Sequence, residues 1–271
     1  MISIFQYDFM RYALIAGALA SVACGIIGVY VVTKRIVSIS SGIAHSAFGG
    51  VGLGYLLGIN PVWGALMFTL PASLGMGLIT RRGKLAEDTA IGMLWSLGMA
   101  LGIIFVGLTP GYAPGLTSYL FGNILIVPVS DLWLMLAVDI LIILVVLGFY
   151  REFQGLSFDE EMSQVLGMPV DVLYYVLLGM IAVTVVILIR IVGIILVIAL
   201  LTVPAALARQ LSHNMAHMMA IAIVLNFVFT FSGLLISFYL NLASGATIVI
   251  VSCFCFFTFM GVRSILRRLA G

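Results

Sequence analysis

The chain has 271 residues, of which 63% are hydrophobic and 8% charged, with a formal net charge of +2 and a mean hydropathy of +1.29. A soluble domain carries about 25% charged residues, so this composition excludes an ordinary water-soluble fold. The apolar runs are long and unbroken, which excludes a β-barrel and leaves an all-α, polytopic transmembrane helix bundle in the lipid bilayer.

Apolar runs bounded by charge or turn residues predict about nine spans (eight to ten), near 12–33, 38–58, 61–80, 89–108, 130–150, 171–189, 192–209, 215–240 and 245–262. They form a single transmembrane unit over 1–271, with no soluble domain, low-complexity linker or convincing internal repeat. The amino-terminal MISIFQYDFMRYALIAG lacks the order of a cleaved signal, so the first segment reads as a retained span. Lys34, Arg35, Arg81, Arg82, Lys84, Arg151, Arg209, Arg263, Arg267 and Arg268 close odd-numbered spans. Nine spans with the N-terminus outside put all ten on the cytoplasmic side, which the positive-inside rule favours. Only Arg11 and Arg190 fall elsewhere.

The second span, SGIAHSAFGGVGLGYLLG, is the unusual one. Read as a helix, Ser41, His45, Gly49, Gly52 and Leu56 share a face. Gly50, Gly54 and Gly58 share another, at the small-xxx-small spacing that lets backbones approach closely. Both faces call for protein neighbours, so this helix belongs inside the bundle. His45 is either a core histidine bonded to a carbonyl or hydroxyl, or a ligand on an ion path; both readings stand on the residue alone.

Gly111-Tyr112-Ala113-Pro114-Gly115 breaks the chain after the fourth span. The following Leu116–Ile126 is too short to cross and reads as an interfacial or re-entrant helix. In the fifth span, Asp139 is an intramembrane carboxylate that must face a partner, a cavity or a cation. Counted at 1.5 Å per residue, His45 lies roughly 15 Å from the cytoplasmic end of its span, and Asp139 comes out at a similar depth, near the midplane.

The largest cytoplasmic segment is 151–170. Ser157-Phe-Asp-Glu160 has the form of a capping box. Phe158, Met162, Val165 and Leu166 recur at helical spacing, Gly167 suits a left-handed stop, and Pro169 prevents continuation. Asp159, Glu160 and Glu161 fall in the first turn, where the helix dipole favours acids. The same acids disfavour an anionic lipid surface, so this short amphipathic helix is expected to dock on a partner protein. Further on, Pro204 is expected to kink the seventh span.

Other chemistry is absent. Gly77–Lys84 is no Walker A loop, because the glycine spacing is wrong and Leu85 stands where Ser or Thr must hold Mg²⁺. The chain itself is therefore not expected to bind or hydrolyse ATP. Cys24, Cys253 and Cys255 lie in apolar segments and read as small buried hydrophobes. His213 and His217 are four residues apart near a span end and read as a solvated face.

Taken together, ISSGIAHSAFGGVGLGYLLG (39–58), EDTAIGMLWSLGMALG (87–102), SYLFGNIL (118–125), SFDEEMSQVLGMPV (157–170), VGIILVIALLTVPAALARQL (192–211) and SFYLNLASGATIVI (237–250) give a sequence that resembles the permease subunits of metal-ion ABC importers. These carry zinc, manganese or iron(II) into prokaryotic cells. The resemblance implies a homodimer in the plasma membrane, two copies of a separate ABC ATPase subunit that binds the ATP, and an extracytoplasmic metal-binding protein. It implies that the helix over about 157–167 is the coupling helix, with Phe158, Glu161, Met162, Val165, Leu166 and Gly167 at the ATPase. It also matches His45 to the histidine of an Asp-x-x-x-His pair lining the metal path. Here Ser41 replaces the aspartate. The expected metal residues are His45 and Ser41, with Asp139, or Asp131 near the outer mouth, supplying the missing charge. No resident cofactor and no nucleic-acid partner are expected. The rival readings are an ABC permease for a siderophore or corrinoid, an ion-coupled secondary transporter, and a non-transporting scaffold.

Overall fold

The computed structural model describes residues 7–82, 87–110, 122 and 124–270, and these contain eleven helices and no strand. In chain order they are α1 (Asp8–Thr33), α2 (Val37–Leu57), α3 (Pro61–Arg82), α4 (Glu87–Leu108), α5 (Val129–Gly148), α6 (Tyr150–Phe158), α7 (Glu160–Val165), α8 (Val170–Val192), α9 (Ile194–Leu211), α10 (Met215–Leu240) and α11 (Ser244–Ala270). Eight of them are long and apolar enough to cross a membrane. The ninth expected span is α2, 21 residues long. Its serines, histidine and glycines keep it out of those eight, and it survives in the bundle because neighbours cover it.

The helix ends follow local chemistry. The Asn214 side chain accepts from the backbone N–H groups of Ala216 and His217, starting α10, and Asn241 ends it in the left-handed region. Gly58, at φ 65°, closes α2. Proline does not break the packed helices: α3 runs through Pro71 and α9 through Pro204. Of the expected helix 116–126, residues 116–121 and 123 lie outside the described residues, as do Gly111–Gly115 and Lys84.

Helices α1 and α8 form the centre, with 72% of each spanning window buried, while α4 lies at the edge with 17%. Around α1 pack α5, α9 and α10; α2 is seated among α3, α4 and α8. The ends of α1, α3 and α9 and the starts of α2 and α8 gather on one face, joined there by Lys34, Arg81 and Arg209: Arg209 donates to the Val32 carbonyl at 2.9 Å, and Lys34 to the Leu156 carbonyl at 3.1 Å. Lys34, Arg35 and Arg209 line one pocket there with Glu160, and Arg81 joins them through the same glutamate, so four basic side chains mark a basic face.

The segment after α5 differs from its expected form. It holds two short helices, not one. Helix α6 is anchored by Phe153 and Leu156, both fully buried, with the Phe153 ring 5.5 Å from that of Tyr30. Ser157 therefore sits near the end of α6, and its hydroxyl donates to the Phe153 carbonyl, so it caps nothing. The N-cap of α7 is Asp159, which accepts from the Met162 N–H at 2.9 Å. Glu160 turns away from the capping-box position because it pairs with Lys34 and Arg81, and charge-assisted bonds outweigh a neutral amide partner. The far end is as expected: Gly167 has φ 78°, the Met168 N–H donates to the Ser163 carbonyl and the Gly167 N–H to Gln164. These are the paired bonds of a Schellman stop.

Candidate metal path and docking face

The α2 helix is held by glycine on both faces. On the α3 side, a methyl placed on Gly50 would lie 2.5 Å from the Ala65 Cα, and one on Gly64 would lie 2.6 Å from the Gly50 carbonyl oxygen. On the α4 side, a methyl on Gly49 would lie 2.7 Å from the Gly98 oxygen, and one on Gly52 2.6 Å from that of Gly102. No side chain fits at these points. The two glycine faces expected of α2 thus have two different partners. The glycines they meet, Gly64, Gly98 and Gly102, were not singled out from the sequence. The signal existed: Gly98 and Gly102 repeat the small-xxx-small spacing.

His45 lies eight residues past the start of α2, about 12 Å along the helix axis. It is half-buried. Its Nδ1 lies 2.8 Å from the backbone oxygen of Ser41. A carbonyl only accepts, so Nδ1 carries the proton and donates. In the neutral ring the lone pair is then on Nε2, the form in which imidazole binds metals. The ring stacks on Trp95 of α4, centroids 3.8 Å apart and planes 27° from parallel. The Trp95 indole N–H in turn meets the Met99 sulfur at 3.1 Å. Trp95 was not identified from the sequence, where it reads as one more apolar residue of α4. The backbone of Ser41 and the ring of His45 therefore come together, with an unforeseen aromatic plate holding the imidazole.

The fold does not bring Asp139 to them. It is 4% exposed and lines a small cavity with Ala23, Met135, Val138, Thr184, Ile187 and Leu188, between α1, α5 and α8. No α2 residue lines that cavity. Asp131 is committed elsewhere too: its carboxylate lies 3.1 Å from the Arg190 Nε, tying the start of α5 to the end of α8. Among the described residues no three His, Cys, Asp or Glu side chains converge.

On the basic face, α6 and α7 present an apolar edge. Phe158, Met162, Val165 and Leu166 are exposed, Val165 at 82%, and Glu161 and Gly167 are exposed beside them. The buried side of the same segment, Phe153, Leu156 and Ser163, seats it on the bundle.

The chain is similar to proteins of several bacteria. The profile of the ABC 3 transport family matches residues 6–263. An uncharacterised membrane protein of Synechocystis is 46% identical over 97% of this chain and 94% of its own. The manganese transport system membrane protein MntC of Listeria monocytogenes is 36% identical over 93% of this chain and 90% of its own. The solved structure of PsaBC from Streptococcus pneumoniae in complex with Fab superposes with a TM-score of 0.86 at 29% identity, covering 95% of each chain. With a spanning bundle, a glycine-packed histidine helix and a family match along nearly its whole length, this chain belongs to the ABC 3 transport family.

Proposed function

We propose that this chain is the membrane permease of an ATP-driven importer for a divalent first-row metal ion, with manganese(II) the foremost substrate. Two copies of the chain form the path, two copies of a separate ATPase dock on the basic face, and a metal-binding protein delivers the ion on the other. The manganese systems among the relatives support the choice of metal. The observation that carries the reading is the His45 ring, oriented by the Ser41 carbonyl and the Trp95 plate so that Nε2 holds the lone pair. A second copy would bring a second imidazole.

This is a site for passage, not storage. Ser41 offers a hydroxyl where the resembling importers have a carboxylate, and a transported ion must be held loosely enough to leave. Imidazole accepts zinc, iron and manganese alike, so selection among them rests on geometry and supply more than on ligand softness. The ATPase would bind the exposed edge Phe158, Glu161, Met162, Val165, Leu166 and Gly167. The nine-span order then puts the basic face in the cytoplasm and the N-terminus outside.

The test is accumulation of manganese, zinc and iron in cells carrying His45→Ala, with the protein level in the membrane measured alongside. Uptake of at least one metal should fall by about tenfold or more, the scale of losing one metal-orienting group. Unchanged uptake of every metal removes His45 from the path.

A further inference from the structure

Glu160 stands at the centre of a cluster that the docking reading does not use. Its two oxygens are divided: one pairs with Lys34 and the other with Arg81. Arg81 also pairs with Asp171. The Tyr174 ring lies beneath both cations, 5.6 Å from the Lys34 Nζ and 4.4 Å from the Arg81 guanidinium carbon. The two cations are largely withdrawn from water, with side-chain exposures of 11% and 18%. Loss of Glu160 would take the carboxylate from a largely desolvated Lys34 and leave Arg81 with Asp171 only.

The positions of the partners give the cluster its direction. Glu160 begins α7, on the exposed docking segment. Lys34 is the C-cap of α1 and lies three residues before α2, in the α1–α2 turn closed by Arg35 at φ 62°. Arg81 lies at the end of α3. Helices α2 and α3 are packed against each other along their length: Met76 at Gly42, Ala65 at Gly50, Pro61 at Gly54. One carboxylate thus ties the turn that leads into α2 to the end of α3, the two helices that carry and support His45. We propose that Glu160 is a positioning residue that transmits displacement of the docking segment to the α2–α3 pair, so that ATP turnover moves the His45 helix. Because Lys34 and Arg81 share the carboxylate, the turn into α2 and the end of α3 move with α7 together and not separately. This rests on the importer reading and extends it.

The experiment uses the whole complex, permease with its ATPase and metal-binding protein, in proteoliposomes. It reads manganese(II) ions moved per ATP hydrolysed for wild type, Glu160→Gln, Glu160→Asp, Arg81→Gln and the double variant Glu160→Gln/Arg81→Gln. Glu160→Gln should keep ATP hydrolysis within about twofold and lower the transport ratio about tenfold, within the range of a coupling free energy between sites. Glu160→Asp, which keeps the charge, should recover most of the ratio. The double variant should lose less than the two single losses combined, because the Glu160–Arg81 link is common to both, while the Lys34 and Asp171 pairs are each broken by one variant alone. A Glu160→Gln complex that keeps the wild-type ratio overturns the proposal, as does additive loss in the double variant. Joint loss of hydrolysis and transport in Glu160→Gln, with the ATPase no longer co-purifying, also overturns it, since the cluster would then only shape the docking surface. A wild-type complex that hydrolyses ATP and moves no metal overturns the importer reading itself.

Discussion

At the scale of single residues, the imidazole and its two supports make distinct predictions. Trp95 touches His45 by its face only, so it orients the ring and offers no lone pair. Trp95→Phe keeps an aromatic plate and should retain most metal uptake. Trp95→Ala should lower it about three- to tenfold through a loosened ring, the cost of misplacing a bound group by a fraction of its range. Metal uptake by cells at matched membrane levels checks both. If Trp95→Ala transports like wild type, the stack is packing alone. Ser41→Asp leaves the supporting backbone carbonyl in place and tests the side chain at this position. A carboxylate one turn before His45 adds a charged ligand, so bound metal should be retained more tightly after washing, with slower release. Radiometric metal retention on purified protein measures this. Asp139 belongs to a different neighbourhood, beside Thr184 between α1, α5 and α8, and its substitution should leave metal retention at His45 unaltered.

At the scale of elements, α2 is held by close backbone approach to α3 and α4. Gly50→Val would drive a branched side chain into the Ala65 backbone and the Gly64 carbonyl. The expected cost is at least about 1–3 kcal/mol, since backbone cannot give way as a flexible side chain does. A lowered unfolding temperature in detergent checks it. Gly75, with no atom within 4 Å of an added methyl, is the control: Gly75→Ala should be neutral or stabilising by up to about 1 kcal/mol. The docking segment gives a separate element-level prediction. Val165, the most exposed of its apolar residues, should tolerate Val165→Asp without loss of permease stability. The same change should weaken ATPase co-purification about tenfold or more, as removal of a central apolar anchor does.

At the scale of the whole molecule, the clustering of Lys34, Arg81 and Arg209 with the ends and starts of five helices makes the two faces chemically unequal. Cysteine placed at Glu161 or at Asn60, in a chain with Cys24, Cys253 and Cys255 replaced by alanine, should label from opposite sides of the membrane. The Glu161 position should react only when reagent reaches the cytoplasm. Labelling of both positions from one side would break the nine-span order.

Much of this was legible in the linear chain because the membrane imposes simple rules. Span existence follows from apolar length, and eight of the nine expected spans meet it outright. The ninth, α2, was legible from its glycine spacing despite its polar residues. Gly167 announced its own left-handed stop, a property of local sterics. The rest depended on residues brought from far apart. The capping role read for Ser157-x-x-Glu160 failed because two cations 79 and 126 positions away claimed the glutamate. Asp139 and His45, similar in estimated depth, are set in different interhelical spaces, because depth along a helix says nothing about which way a side chain faces around it. Trp95 lacked any local signature, and only the α2–α4 contact made it the plate under His45. Sequence by itself determined what satisfies its needs within one helix: length, apolarity, backbone stops. Tertiary structure alone decided which charges and rings meet, since those pairings are set by helix rotation and neighbour choice, over which local residues have no control.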